Sequence, residues 1–91
     1  MPQRAEKWDE YVRTLGLNLQ RARSEKAMSQ ERVASAAEIS VFTYRKLEKG
    51  ESNPGTAANP RLRTLVALAE VLEVPVTELL PPALPGITNG R

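Results

Sequence analysis

SQERVASAAEISVFTYRKLEKG, Ser29 to Gly50, decides the reading of this chain. Ser29 has the side chain that caps a helix N-terminus, with Gln30 and Glu31 in the first turn behind it. Val33, Ala34 and Ala37 then fall on the inner side of a short helix. Ile39 is an apolar anchor in a turn, and Ser40 offers a second cap. A further helix is predicted from Val41 to Lys49, ended by Gly50, a residue suited to the left-handed stop. Small residues at Ala34 and Ala37 let a second helix cross the first closely. The turn at Glu38-Ile39 redirects the chain into that helix.

On a wheel of about 100° per residue, Tyr44, Leu47 and Ser40 share one side of helix 41–49, with Glu48 beside them. Phe42, Lys46 and Lys49 lie on the opposite side, flanked by Arg45. Taken alone, such cations usually form a solvated face, and an exposed Phe usually covers a loop or a dimer contact. The short helix and turn before them shift the balance toward a helix presented to the major groove of DNA.

Outward from this stretch, Trp8, Tyr11, Val12, Leu15, Leu19 and Ala22 recur at spacings of three and four. They predict an amphipathic helix from Trp8 to about Lys26, with Gly16 as its weak point. Residues 51–59, ESNPGTAAN, are turn-formers and read as a loop. Asn59-Pro60 reads as a cap followed by a first helical residue. Leu62, Leu65, Val66, Ala69 and Leu72 then form the inner stripe of a fourth helix. Pro75 interrupts, and Val76 to Leu80 make a last turn or two. The expected organisation is an N-terminal tail over 1–7, one domain over 8–80, and a flexible Pro- and Gly-rich tail over 81–91. With no repeat and no βαβ alternation, the expected fold class is all-α, a compact bundle of about five short helices.

Composition narrows the chemistry. Ninety-one residues make one small domain. The absence of cysteine excludes disulfides and thiolate metal sites. The absence of histidine excludes a zinc finger and a His-dependent triad. No apolar run approaches the ~20 residues of a membrane span, and MPQRAEKWDE lacks the apolar segment of a secretory signal. The expectation is a cytoplasmic protein with no membrane role, no cofactor and no metal. The net charge of +2 is modest but unevenly spread. Residues 44–63 carry five Lys/Arg against two Glu, and residues 64–91 carry one Arg against three Glu. One side of the fold is therefore suited to a polyanion.

These stretches, LGLNLQRARSEKAMSQERVASAA, YRKLEKGESNP and LRTLVALAEVLEVPVTELL, resemble the helix-turn-helix DNA-binding domains of the phage Cro and repressor type, often called XRE-like. The resemblance spans Leu15 to Leu80 and implies the lambda-repressor-like fold, with the helix-turn-helix at helices 2 and 3. It implies that Gln30 touches a phosphate and braces the reading helix. It places Val41, Phe42 and Lys46 where the family contacts bases. Lys46 has the chemistry to donate to guanine, and Val41 and Phe42 to meet thymine methyl groups. Ser40, Thr43, Arg45 and Lys49 become candidates for phosphate contact. Ala34, Ile39, Tyr44 and Leu47 correspond to core positions, and Arg23 and Glu48 to a structural pair bridging the first and third helices. The sequence departs from the family at three places. Glu38 stands where Gly is usual, so the backbone there is left-handed or takes another course. Tyr44 replaces a branched aliphatic, and its hydroxyl needs a partner or a route to solvent. The loop after the third helix is longer than usual, leaving Asn53, Thr56, Asn59 and Arg61 as unranked flanking candidates.

The function expected is a sequence-specific regulator of transcription, a repressor that binds double-stranded DNA. It would act as a homodimer on a palindromic operator whose half-sites lie about one helical turn, ~10 bp, apart. Leu79, Leu80, Leu84 and Ile87 are the candidate dimer surface. Control by concentration, by a partner or by autoregulation would follow, as in small phage repressors and restriction-modification controller proteins. The alternative is an antitoxin or adaptor that uses the same fold to hold another protein, favoured by Phe42. Trp8 is expected to cap the core, and Glu70, Glu73 and Glu78 to be solvated charge. With no His, Cys or phosphate-binding glycine loop, an enzyme is not expected.

Overall fold

Two serine caps fix the middle of the molecule. The Ser29 hydroxyl accepts from the Arg32 amide at 3.1 Å, and the Ser40 hydroxyl accepts from the Thr43 amide at 3.0 Å. Each satisfies a donor that the first helical turn would otherwise leave unpaired. In the computed structural model, which describes residues 2–88 and side chains from Lys7 onward, these caps start α2 (Gln30–Ala36) and α3 (Val41–Glu48). Before them runs α1 (Pro2–Glu25). After them come a two-stranded antiparallel hairpin, β1 (Glu51–Asn53) and β2 (Thr56–Ala57), then α4 (Leu62–Leu72) and α5 (Val76–Leu79). The fold is the expected bundle of five helices.

The turn between α2 and α3 takes the left-handed course. Glu38 has φ 62°, and the Ile39 amide closes on the Ala34 carbonyl at 3.0 Å. A non-glycine residue there costs about 1 kcal/mol. Gly50 ends α3 at φ 74°, as its position predicts.

The core gathers Val12, Leu15 and Leu19 from α1, Val33 from α2, Tyr44 and Leu47 from α3, Leu65, Leu68 and Leu72 from α4, and Leu79 from α5. Each fully buried aliphatic contributes about 1.5–3 kcal/mol. Gly16 is no weak point. A Cβ on it would stand 2.4 Å from the Glu48 carbonyl oxygen, so its missing side chain is what lets α1 and α3 touch backbone to backbone.

Other expectations are corrected. Of the tail expected over 1–7, residues 2–7 belong to α1 and residue 1 lies outside the described residues; Pro2 holds the first helical position, where its missing N–H costs nothing. The loop over 51–59 contains the hairpin, turned at Pro54-Gly55 with Gly55 at φ 80°. Trp8 straps it to α1: its indole N–H donates to the Ala58 carbonyl at 3.0 Å, and its ring stacks on Tyr11. The N-cap of α4 is Arg61 rather than Asn59. Its buried arc is Leu65, Leu68, Ala69 and Leu72, which leaves Leu62 71% and Val66 41% exposed rather than inward. Both lie at the margin of that arc, where α2 does not reach across to cover them.

Leu79 is not a surface residue. It is 1% exposed, and Asn18 of α1 donates its amide to the Leu79 carbonyl at 3.0 Å. Beyond Leu80 the tail, described through Thr88, runs along α1 beside Lys7, Tyr11 and Thr14. Residues 89–91 of the predicted flexible tail lie outside the described residues. No described helix is long and apolar enough to cross a membrane.

Candidate nucleic-acid interface

The inner edge of α3 is fastened by a polar cluster that crosses three helices. Glu48 is buried at the end of α3. Its carboxylate accepts from Arg23 of α1 at 2.7 and 3.2 Å, and from the Gln30 amide of α2 at 2.8 Å. Burial alone would push Glu48 upward. The hydrogen bonds from Arg23 and Gln30 outweigh it and hold the carboxyl below its ordinary range. The same pairing raises the Arg23 guanidinium. Gln20 adds a hydrogen bond from its amide to the Glu48 backbone carbonyl at 3.2 Å. Breaking a buried pair of this kind by removing one partner is costly, because the other charge is left without compensation.

Tyr44 sits fully buried beside this cluster. Burial and the adjacent Glu48 carboxylate hold its phenol well above the ordinary range. Its hydroxyl nevertheless meets no partner in hydrogen-bonding geometry among the described residues.

The outer edge of α3 faces solvent. Phe42 is 69% exposed, Thr43 and Lys49 are exposed, and Val41, Arg45 and Lys46 are half-buried. A single exposed ring is ordinary on a protein surface, so Phe42 gains meaning from the cations beside it rather than from its exposure alone. Ser40 and Thr43 hydroxyls bond each other at 2.9 Å, so both belong to the cap as well as to the surface. Arg45 is engaged within the protein: its Nη2 donates to the Glu31 carboxylate at 2.9 Å and its Nε to the Gln30 side-chain oxygen Oε1 at 3.3 Å. Gln30 thus bridges Arg45 and Glu48 and braces α3 against α2.

The flanking candidates separate. Asn59 shares a hollow of about 240 Å³ with Thr43 and Lys46, beside the outer edge of α3. Thr56 shares one of about 120 Å³ with Lys49 and Arg13. Arg61 lines a groove beside Ala37 and Ile39 instead, and Asn53 is exposed on β1. Arg13 is the cation that the linear pattern missed. Gly50 turns tightly over α1, its would-be Cβ 2.8 Å from the Arg13 Cα, and this sets Arg13 beside Lys49. No signal in the sequence joins residues so far apart. No group of acidic side chains able to hold a metal ion occurs among the described residues.

Comparison with known proteins agrees with this architecture. A family model described as a helix-turn-helix domain matches residues 14–81. No curated protein matches the chain. The fold is similar to the crystal structure of the restriction-modification controller protein C.AhdI from Aeromonas hydrophila, with 25% identity and a TM-score of 0.66. That match covers 76% of this chain and 96% of the controller protein. Two capped helices joined through Glu38, a pinned inner edge and a match over most of the sequence lead to one conclusion: the chain belongs to the helix-turn-helix domain family, of the phage Cro and repressor (XRE-like) type.

Proposed function

We propose that this protein is a sequence-specific, double-stranded-DNA-binding regulator of transcription, acting as a repressor. In this reading it binds a palindromic operator as a homodimer, with α3 in the major groove. The observation that carries the reading is the division of α3. Its inner edge is clamped by Arg23, Gln30 and the core, while Phe42 and Lys49 stand free on the other. Lys46 is assigned to a guanine edge, and Val41 and Phe42 to thymine methyl groups. Ser40, Thr43 and Lys49 meet phosphates. Gln30 meets one through its second amide hydrogen, the first being given to Glu48, and Arg45 does so by exchanging Glu31 for a phosphate oxygen. The likeness to a restriction-modification controller protein supports a regulatory role.

Selection of bound duplexes from a random pool tests this, with recovery of a palindrome as the expected result. On that duplex, contact with ~4–6 phosphates gives a log–log salt slope of about −4 to −5. Lys46→Ala should relax preference at one base pair and cost ~1–3 kcal/mol, whereas Lys49→Ala should weaken all sequences alike. Identical behaviour of the two variants would overturn the assignment of reading and positioning roles. The exposed Phe42 ring favours a second reading, a protein-binding antitoxin or adaptor. A salt-independent response, or failure to select any duplex, would support it instead.

A further inference from the structure

α4 presents a face that the fold leaves uncovered. Leu62 and Val66 stand one turn apart on it, 71% and 41% exposed. They border a groove whose other wall is Ala37, which caps α2, and Ile39 in the turn that follows. Arg63 and Glu70 lie on the same face and are also exposed. Seven residues of helix separate them by about 10.5 Å along the axis, too far to pair with each other. Neither forms an ion pair among the described residues. The face therefore reads, in order, apolar, positive, apolar, negative.

That order is complementary to itself when reversed. In a two-fold contact, residue i meets j of the second copy and j meets i. With the axis between residues 66 and 67, Val66 lies against Ala67 of the second copy. Arg63 then falls opposite Glu70 of the second copy, and Glu70 opposite Arg63, so both ion pairs form at once. The other exposed apolar side chains outside α3 lack this match, and Phe42 on α3 is flanked by cations alone. Leu17 stands alone on α1, and Leu84 and Ile87 belong to the proline-rich segment, where no opposite charges are set about a centre.

We propose that the outer face of α4 is where two copies of this chain meet, packed antiparallel about a two-fold axis near Val66, with Arg63 and Glu70 pairing across it. This rests on the homodimer reading and names its surface. The surface differs from the Leu79–Leu80 face expected at the domain's end, whose first residue is buried in the core.

Sedimentation equilibrium of the full chain without DNA, at micromolar concentrations, tests it. Arg63→Glu and Glu70→Arg should each weaken self-association by about tenfold or more, because each sets two like-charged pairs across the axis. An equimolar mixture of the two variants should form a heterodimer of near wild-type strength, since one copy then carries two acids and the other two bases. Val66→Glu should abolish the dimer while leaving the far-ultraviolet circular dichroism of the folded chain unchanged, and its Tm should lose the dependence on protein concentration that the wild type shows. Failure of the mixture to restore association would overturn the proposal. So would single variants that dimerise like the wild type. A dimer broken by Leu84→Glu and not by Val66→Glu would overturn the surface and leave the homodimer reading standing. A monomeric wild type would overturn both, and operator selection would still decide the DNA-binding reading separately.

Discussion

Replacing Gly16 with alanine sets two effects of opposite sign against each other. Alanine in a helix interior is favoured over glycine by about 1 kcal/mol, so propensity alone predicts a more stable protein. At this site the new Cβ would lie 2.4 Å from the Glu48 carbonyl oxygen, 2.7 Å from the Leu47 carbonyl oxygen and 2.8 Å from the Glu48 carbonyl carbon. Comfortable separation from a carbon atom is about 3.5 Å, so relief needs a shift of roughly 1 Å. All three neighbours are backbone, and no rotamer change removes them. Their segment is also held by Arg23 on the Glu48 carboxylate and Gln20 on its carbonyl, so moving α3 away stretches those bonds. Overpacking of this kind costs typically 1–3 kcal/mol and more against backbone. The net effect is a loss of about 1–2 kcal/mol, or a fall in Tm of roughly 4–16 °C at 4–8 °C per kcal/mol. Urea and thermal unfolding followed by far-ultraviolet circular dichroism would measure it. A Tm that rises on Gly16→Ala would refute the claim that α1 and α3 are in backbone contact there.

Two further outcomes concern the buried cluster. Because the folded Glu48 carboxyl lies below its ordinary value of 4.5, its stabilising contribution is complete above that value and fades as pH falls through the depressed one. Glu48→Gln should flatten this acid limb and cost about 2 kcal/mol at pH 7; an unchanged pH profile of Tm would show that the carboxylate is not responsible. Tyr44→Phe should be neutral or stabilising by about 1 kcal/mol, since the lost hydroxyl is buried without a partner. A destabilisation above 1 kcal/mol in the same unfolding assay would mean that the phenol does bond Glu48.

Signals contained within a few consecutive residues were readable. Ser29 and Ser40 announce their helices, Gly50 announces an end, and the alternation of Tyr44, Leu47 and Glu48 with Phe42, Lys46 and Lys49 predicts which edge of α3 turns inward. The pair of Arg23 and Glu48 was legible only through the family resemblance, since 25 positions separate them. What escaped the sequence depends on neighbours that arrive from elsewhere. The rotation of α4 is set by how far α2 reaches across it, so Leu62 and Val66 look like core from spacing alone. Leu79 is buried because Asn18 and α1 lie over it. The pairing of β1 with β2 hides in a run of turn-formers, because strands of three and two residues are too short for alternation to register. Gly16 carries a helix penalty locally and becomes favourable only when α3 is laid against it.

The fastening of α3 along one edge separates the side chains that hold the fold from those that face solvent. Tyr44, Leu47 and Glu48 form the buried edge of α3, with Gly16 and Arg23 of α1 packed and bonded across from them. The Phe42, Lys46 and Lys49 side chains carry no comparable obligation to the interior, whereas Val41 packs against the core and Thr43 belongs to the Ser40 cap. Under the proposed function, substitutions at Phe42 and Lys46 would therefore alter which duplex is bound while leaving the stability of the fold nearly unchanged.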